Sequence, residues 1–496
     1  MTARNRPRSL GVRSMVGRRW WWILASARRA GLLGVLASSG CSAAKQPEGP
    51  VPGPTPASAP KADVEPGAQC PQGPIARQVA PDVEPRHRLV ETWVDKLPAG
   101  MGDVALLDPK ALPALNAQFA LTPGAFRDPM SDAIADPEHV ASEIAERMTW
   151  MRAQVEDGTY KETEVGAMAA ANVVVEGAVP VDELRLAVAE SQLWCAPLTS
   201  GLFKTPIDPA FDRNRCASLH PGELVRVLRR FGHEGGEAEW LYADSGHTTG
   251  WLHAPALTPV LEREHLAPLW DGPRLVSTRD AAVTLSGHPI RLGTQVPLRG
   301  TDSDGYDVLV PTPQGPTPDR VFRSEPVVAD KAVLTRRALW TMALAELESP
   351  YGWGGTQGAR DCSRFLRDMM VTFGVQLGRH SGVQAKLGTA RVDVGGLSDD
   401  AKRQAIAAAA KRGVVFLYMR GHIMLYLGRD QGHDYAVSAL AEWLEPCKGG
   451  EDTVYRLDRV AVSTLELGRD TERTAYIERI STLVVFGVDA PEPTAG

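Results

Sequence analysis

One cysteine stands at the start of a segment whose apolar residues follow helical spacing, and this pattern strongly constrains the fold of the C-terminal third. After Asp361, Cys362 and Ser363, the apolar positions are Phe365, Leu366, Met369, Met370 and Phe373. Asp361 is a suitable N-cap residue, and Gly374 is a suitable stop signal. The pattern therefore predicts a buried helix with Cys362 in its first turn.

This position favours chemistry at the sulfur. The positive end of a helix stabilises negative charge, so it is expected to lower the pKa of Cys362 and favour the nucleophilic thiolate. The preceding Tyr351-Gly352-Trp353-Gly354-Gly355 segment is Gly-rich and would let a substrate backbone approach the sulfur closely. The alternative is a buried, inert cysteine at a helix start.

A nucleophilic thiol needs a base within hydrogen-bonding reach, and His422 is the candidate. Residues 413–418 are predicted to form a strand, Arg420-Gly421 a turn, and residues 422–427 a second strand that Gly428 ends. His422 opens the second strand. His433 falls in the following Gly-rich turn and is expected to be exposed. A cysteine on a helix followed by a histidine on a sheet resembles the papain-like arrangement.

The N-terminus has the features of an export signal. Eight arginines and no acidic residue precede a short apolar run at 30–37, which is too short for a transmembrane helix. Small residues lead directly to Cys41, as in a bacterial lipobox. We predict a removed lipoprotein-type signal peptide at 1–40, lipidation of Cys41 and a Pro/Ala/Gly-rich tether at 41–70. The alternative is ordinary signal cleavage. We expect the protein to be periplasmic and anchored to a membrane, with the outer membrane favoured over the inner.

The remaining length requires several domains. A chain of 496 residues corresponds to about three domains or more, and a net charge of −6 argues against nucleic-acid binding. A mainly helical domain is predicted at 71–192, with one helix starting at Asp136 and another near 181–191. Short strands and turns predict two β domains at 193–262 and 270–329, and the last domain spans 330–490, beginning with a helix at 332–347.

Four further cysteines, Cys70, Cys195, Cys216 and Cys447, form an even set that suggests disulfides in an oxidising compartment. Cys195 and Cys216 would lie within or at the edge of the first β domain. The sequence leaves the pairing open, and free buried thiols remain an alternative.

Four blocks together resemble the NlpC-type cell-wall peptidases: residues 350–355, 361–366, 379–385 and 421–428. The likeness is strongest to the branch with two SH3-like domains and an N-terminal stabilising domain. It implies a multidomain protein with an α+β papain-like catalytic domain, two small β-barrel SH3-like domains and a mainly helical N-terminal domain. The alternative for each β domain is a generic small β fold.

The resemblance also implies an activity and a set of site residues. Such enzymes are cysteine endopeptidases of peptidoglycan that cut the γ-D-glutamyl–diamino acid bond of stem peptides or muropeptides. By position, Cys362 is the nucleophile, His422 the base, and Tyr351 an oxyanion donor. Asp361, Ser363 and Ser381 correspond to a pocket for the free amine of N-terminal L-Ala. No cofactor or metal is implied.

Two positions depart from the family pattern. The residue that orients the base is usually His, Asn or Gln, whereas Ser438 is the expected occupant here, unless the alignment is shifted by one residue. Arg364 stands where Gly is usual; it and Arg360 would either attract the acidic peptide or lie on a solvated face. The alternative functions are a catalytically weak or inactive cell-wall-binding lipoprotein, or another papain-like reaction such as acyl transfer.

Overall fold

The computed structural model describes residues 70–487 except 72, 135 and 234–238. The predicted signal peptide, nearly all of the tether and Cys41 lie outside the described residues. Among the described helices, none combines the length and the apolar character needed to cross a membrane.

The region before the first large sheet is mainly helical. Helix α3 starts as predicted, because the Asp136 carboxylate accepts from the Glu138 amide and Pro137 occupies the first turn. Its buried residues include Val140 and Ile144, which follow the predicted spacing. The elements here are β1 (Ile75–Ala76), α1 (Val90–Val94), α2 (Leu112–Ala120), α3 (Pro137–Glu156), β2 (Tyr160–Glu162) and α4 (Ala167–Gly177).

The helix predicted near 181–191 is wrong. Residues Val179–Leu186 form strand β3, which pairs antiparallel with strand β7 (Leu224–Phe231), and Ser191–Trp194 form β4. Pairing with a distant strand therefore overrides the local helical pattern in this segment. The helix lies earlier in the chain, as α4.

The first large sheet has six strands in the order β3-β7-β8-β9-β4-β6. A disulfide between Cys195 and Cys216 links the residue after β4 to the edge strand β6. The short strands expected in this region are present and include β7, β8 and β9. The further elements are β5 (Leu202–Lys204), β6 (Arg215–Leu219), β8 (Trp240–Asp244), β9 (Thr249–His253) and the following helix α5 (Arg263–Trp270).

The second sheet has five strands in the order β15-β14-β13-β10-β16, with the small hairpin β11–β12 beside it. Closed barrels were expected for both β regions, but within the described residues neither sheet closes on itself through strand pairing. The strands are β10 (Arg274–Ser277), β11 (Ala282–Val283), β12 (Pro289–Ile290), β13 (Gln295–Thr301), β14 (Gly305–Thr312), β15 (Gly315–Phe322) and β16 (Val327–Ala329).

The C-terminal region is built on a seven-stranded sheet, ordered β1-β21-β20-β19-β18-β22-β17. Two apolar clusters cover its faces, one containing helices α6 and α7 and the other containing α9 and α10. The elements are α6 (Arg336–Ala345), α7 (Cys362–Thr372), α8 (Ser381–Gln384), β17 (Ala390–Asp393), α9 (Asp399–Arg412), β18 (Gly413–Met419), β19 (His422–Asp430), β20 (His433–Glu445), β21 (Thr453–Thr464), α10 (Tyr476–Arg479) and β22 (Thr482–Gly487).

Two details of the predicted hairpin differ. Gly428 does not end strand β19; it marks a register shift, and the strand continues to Asp430. His433 was expected to be exposed in a turn, whereas it is the first residue of strand β20 and is half-buried. The predicted helix at 332–347 is present in shortened form as α6.

The first described residues belong to the C-terminal sheet. Strand β1 pairs parallel with β21, and a disulfide joins Cys70 to Cys447, 377 positions apart. The buried His87 ring lies 2.9 Å from an Asp430 carboxylate oxygen and packs against Tyr435. The segment before α1 therefore stabilises the sheet that contains the hairpin of His422.

Buried charges on helix α7 and just before it contact both β regions. Asp368 is fully buried and lies 2.8 Å from Arg360 Nε, 3.1 Å from His220 Nε2 and 3.3 Å from Arg364 Nε. Burial lowers the pKa of His220, but the Asp368 and Glu190 carboxylates together outweigh it and raise that pKa above its ordinary value.

Further carboxylates complete this ionic network. Arg364 Nη2 pairs with Glu190 at 2.5 Å, and Arg360 contacts both oxygens of Asp280 at 2.6 and 2.7 Å. Glu190 precedes β4, and Asp280 lies between β10 and β11. Arg360 and Arg364 are therefore neither on a solvated face nor free to attract a peptide, because the network engages and buries both of them.

We expect Asp368→Asn to destabilise the protein, because it leaves three buried cationic groups without their shared carboxylate. The predicted loss is about 3–5 kcal/mol in the free energy of unfolding. Urea denaturation under oxidising conditions, followed by tryptophan fluorescence, measures it. Asp400→Asn is the matched control, because that side chain is 90% exposed and should change the value by less than about 0.5 kcal/mol. Equal effects of the two substitutions would contradict the structural role of the network.

Candidate active site

Cys362 is the first residue of helix α7, as predicted. Asp361 is the N-cap, and its carboxylate accepts from the Arg364 amide at 2.9 Å. The helix is buried along its whole length because its apolar residues pack against the seven-stranded sheet. The backbone amides of Ser363 and of Ile423 on strand β19 are directed at the sulfur. The Cys362 sulfur therefore lies against Ile423, the residue that follows His422.

Asp361 forms a buried ion pair with Arg379. The two guanidinium nitrogens Nη1 and Nη2 contact the two carboxylate oxygens at 3.0 and 2.5 Å. The same carboxylate also accepts from the Ser363 hydroxyl and the Gly354 amide. Burial raises the pKa of Asp361, but Arg379 and these donors outweigh it and hold that pKa below its ordinary value.

The thiol is less acidic than expected from its helix position. Burial, followed by the negative charge of Asp361, raises the pKa of Cys362 to about 12. The amides of Ile423 and Ser363 act in the opposite direction but are outweighed. The expectation of a lowered thiol pKa is therefore wrong for this state of the site, because desolvation exceeds the stabilisation by the helix start.

His422 is the first residue of strand β19 and follows Gly421, which has a left-handed φ of 84°. Its ring Nε2 lies 3.1 Å from the Ser438 hydroxyl on β20, and Ser438 is 1% exposed. Burial, followed by the charge of Arg479, lowers the pKa of His422 to about 4. The structure thus brings His422 and Ser438 together as predicted, with a neutral imidazole at neutral pH.

Tyr351 lies within electrostatic range of Cys362. Burial raises the pKa of Tyr351 well above its ordinary value, with further contributions from Asp361 and Cys362. Its hydroxyl therefore stays protonated and can donate. The Phe211 ring lies 6.1 Å from the Tyr351 ring, so the segment between β5 and β6 packs beside it.

The glycines before Cys362 have a different role from the one expected. Gly354 and Gly355 are buried with left-handed φ values of 61° and 82°. A Cβ on Gly354 would lie 2.7 Å from the Arg215 carbonyl oxygen, and one on Gly355 would lie 1.8 Å from the Ser218 hydroxyl. These glycines allow the turn to pack against strand β6, so the prediction that they admit a substrate backbone is wrong.

The three predicted pocket residues are only partly brought together. The Ser363 hydroxyl donates to Asp361 at 3.1 Å and accepts from Arg379 at 3.0 Å. Ser381 opens helix α8 and is half-buried, and in the described part of the chain no hydrogen bond joins it to either residue. Gln384 ties α8 to α7 by donating to the Ser363 carbonyl at 2.8 Å.

Several site residues were missed by the sequence reasoning. Arg379 stood in a recognised block but received no role, although a buried acid at a helix start requires a cation. Burial raises the pKa values of Tyr351 and Tyr418, and Arg213 and Arg420 partly oppose these shifts, while Arg479 adds to the effect of burial that lowers the pKa of His422. Cations therefore surround the site. Of these, Arg213 belongs to the first β region and had no local signal. Across the described residues, no group of three or more His, Cys, Asp or Glu side chains is placed to hold a metal ion.

Comparisons with known proteins agree with this geometry. The model of the NlpC/P60 family matches residues 348–437, which include Cys362 and His422. A solved NlpC/P60 endopeptidase from Photobacterium damselae subsp. piscicida aligns with a TM-score of 0.65 and 13% identity, covering 84% of this chain and 99% of that chain. No curated protein matches this chain in sequence.

Two further solved structures align only poorly. NlpC1 from Trichomonas vaginalis has a TM-score of 0.21 and 14% identity, covering 59% of this chain and 94% of that one. NlpC2 from the same organism has a TM-score of 0.22 and 13% identity, covering 58% of this chain and 98% of that one. The predicted resemblance to the NlpC-type family is confirmed by the matched segment and by the fold shared with the bacterial endopeptidase, whereas the likeness to the branch with two SH3-like domains stays a prediction. Residues 348–437 of this multidomain chain form an NlpC/P60 domain.

Proposed function

We propose that this protein is a cysteine endopeptidase of peptidoglycan that cuts the bond between γ-D-glutamate and the diamino acid of stem peptides. The observation that carries the proposal is the placement of His422. Its ring Nε2 lies 3.1 Å from the Ser438 hydroxyl. The backbone amide of the next residue, Ile423, is directed at the Cys362 sulfur at the start of a buried helix. The NlpC/P60 match over these residues supports a cell-wall peptide as the substrate.

The reaction starts from a neutral thiol and a neutral imidazole. When Ser438 accepts a hydrogen bond from Nε2, the lone pair of His422 resides on Nδ1, which takes the thiol proton as the sulfur attacks the carbonyl carbon. The imidazolium then protonates the leaving amine as the C–N bond breaks. Water, deprotonated by His422, hydrolyses the resulting thioester and releases the thiol.

The developing oxyanion needs donors at the site. The Tyr351 hydroxyl, which burial keeps protonated, is the side-chain donor in this proposal. The neighbouring arginines Arg213, Arg420 and Arg479 provide a positive field suited to the carboxylates of the peptide. An acidic substrate therefore matches the charge around the site.

The free amine of an N-terminal L-Ala would bind near Ser363 and Ser381. Asp361 cannot offer an unpaired charge there, because Arg379 contacts both of its oxygens. In this proposal the Ser381 hydroxyl accepts a hydrogen bond from the amine, and the remaining negative potential of the Asp361 carboxylate favours its positive charge. Asp361 acts mainly as the helix cap and as the partner of Arg379.

The wider organisation is also part of the proposal. We assign the two β regions, at 193–262 and 270–329, to SH3-like domains whose sheets remain open. The region at 71–192 is the stabilising domain, and residues 330–490 are the papain-like domain. The Arg-rich start and Cys41 support an exported lipoprotein anchored in the periplasm, preferably at the outer membrane. A tether at 41–70 would let the enzyme reach peptides beyond the membrane surface.

One observation favours a second candidate, a cell-wall-binding protein with little or no catalysis. The pKa of Cys362 is about 12 and that of His422 is about 4, so a preformed thiolate–imidazolium pair is absent at neutral pH. Such a protein would bind muropeptides through the same surfaces and release no product.

The proposed function is tested with L-Ala-γ-D-Glu-diaminopimelate and purified muropeptides. The wild type should release L-Ala-γ-D-Glu, and Cys362→Ala should lower the rate at least about a thousandfold because the covalent step is lost. Liquid chromatography with mass spectrometry identifies the products. Cleavage that survives the substitution would contradict the nucleophile, whereas binding without any product from the wild type would favour the second candidate. An amine-modified product would instead indicate acyl transfer.

A neutral thiol predicts a distinctive pH dependence of alkylation. Because the pKa of Cys362 is raised to about 12, the thiolate fraction should rise about tenfold per pH unit from pH 7 to 10 without levelling. The rate of Cys362 modification by iodoacetamide, read from its tryptic peptide by mass spectrometry, measures this. N-acetylcysteine is the control, and its rate should level above its own pKa. A pH-independent rate between pH 6 and 8 would show that an ion pair already exists.

Ser438 should contribute through its hydroxyl. We expect Ser438→Ala to lower kcat about tenfold, because one hydrogen bond that orients the base is removed, with little change in KM. Ser438→Thr keeps the hydroxyl in a strand and serves as the matched control, with kcat within about threefold of the wild type. Equal kcat values for the alanine variant and the wild type would show that Ser438 does not orient His422.

A further inference from the structure

A polar groove of about 770 Å³ lies on the sheet beside the site. Tyr418 connects the two, because its ring is within electrostatic range of Cys362 and it also lines the groove. Gly382, next to Ser381, forms the opposite side of this passage, since a Cβ there would lie 3.4 Å from the Tyr418 hydroxyl. The groove therefore adjoins the site through Tyr418 and Gly382.

Strand β17 places two opposite charges in this groove. Ala390 and Val392 pack against the cluster of α9 and α10, so the alternating residues Arg391 and Asp393 lie on the other face of the sheet. Arg391 is paired in register with Val484, which belongs to the cluster that contains Cys362. Both charged side chains are exposed and line the groove.

Neither charge is neutralised by a partner of opposite sign. In the described part of the chain, Arg391 and Asp393 take part in no ion pair, and Asp393 only accepts from the Gly395 amide at 2.9 Å. Lys386 adds a second exposed cation on the α8 side. A ligand group that carries both a carboxylate and an ammonium complements this arrangement, because a guanidinium binds carboxylates with two parallel hydrogen bonds and a carboxylate accepts from ammonium.

The spacing of the strands suits a diamino acid. Strand β17 is three positions from β19 in the sheet, so roughly 14 Å separates it from the strand whose Ile423 amide is directed at the Cys362 sulfur. The Arg391 side chain and the side chain of a diamino acid next to the scissile bond together span about that distance. The charges in the groove and its distance from strand β19 thus both suit the end of a diamino acid side chain.

We propose that this groove is the subsite for the diamino acid of the substrate, and that Arg391 and Asp393 select a side chain ending in both a carboxylate and an ammonium, as in diaminopimelate. This inference rests on the proposed function and deepens it. Asp393 contacts the ammonium, which a lysine side chain also carries. Arg391 contacts the carboxylate, which lysine lacks.

Binding to Cys362→Ala tests the subsite without requiring catalysis. Isothermal titration calorimetry compares L-Ala-γ-D-Glu-meso-diaminopimelate with L-Ala-γ-D-Glu-L-Lys. Adding Arg391→Ala should lower the affinity for the diaminopimelate peptide about fivefold and leave the affinity for the lysine peptide within twofold of its original value. Adding Asp393→Asn should lower the affinity for both peptides about fivefold. Arg299→Ala, an exposed arginine on strand β13 outside the groove, is the control and should change neither.

Three results would overturn the subsite: equal weakening of both peptides by Arg391→Ala, no weakening of either, or no measurable binding of either peptide to Cys362→Ala. Thermal unfolding of each variant checks that the surface substitutions leave the fold intact. Failure of the wild type to cleave would reject the peptidase, whereas selective weakening in the binding experiment would still support the groove. The two failures are therefore distinguishable.

Discussion

The buried ion pair between Asp361 and Arg379 organises the site. Its carboxylate caps helix α7 through the Arg364 amide, orients Ser363 and holds the turn at Gly354. A buried carboxylate without a cation would be very costly, so Arg379 is what allows Asp361 to stand next to the nucleophile. The same negative charge, together with burial, keeps the thiol of Cys362 protonated.

This electrostatic balance changes how the chemistry is understood. A helix start alone favours a thiolate, but here desolvation and an adjacent acid have the larger effect. His422 is half-buried, and desolvation, followed by the charge of Arg479, lowers its pKa. In the proposed mechanism, proton transfer from sulfur to imidazole therefore accompanies attack on the substrate, and Ser438 sets the orientation of the ring and not its charge.

The sequence predicted the local parts of this site well. The spacing after Cys362, the cap at Asp361 and the hairpin that carries His422 depend on short-range patterns, and the structure contains all of them. The segment at 181–191 was wrong because its conformation depends on pairing with β7. Arg360 and Arg364 were misassigned for a related reason. The residues next to them in sequence do not reveal that Glu190, His220 and Asp280 contact them in the fold.

The position of helix α7 also depends on the rest of the chain. Asp368 on the helix contacts the first β region, and Arg360, just before the helix, contacts the second. Strand β1 and the Cys70–Cys447 disulfide link the first described residues to the sheet of His422. Residues far from Cys362 in sequence thus help to hold Cys362 and His422 in place. The likeness in fold to a solved NlpC/P60 endopeptidase over 84% of this chain is consistent with one connected unit.

The protonation state of His422 is the most direct test of a site that starts from a neutral pair. Nuclear magnetic resonance of ¹⁵N-labelled histidine, with His422→Gln to assign the signals, reports it as the pH is varied. The neutral pair predicts an uncharged ring down to a pH of about 4, with one protonated and one unprotonated nitrogen at neutral pH. An imidazolium at pH 7 that disappears in Cys362→Ala would contradict it, because that result requires a preformed thiolate partner.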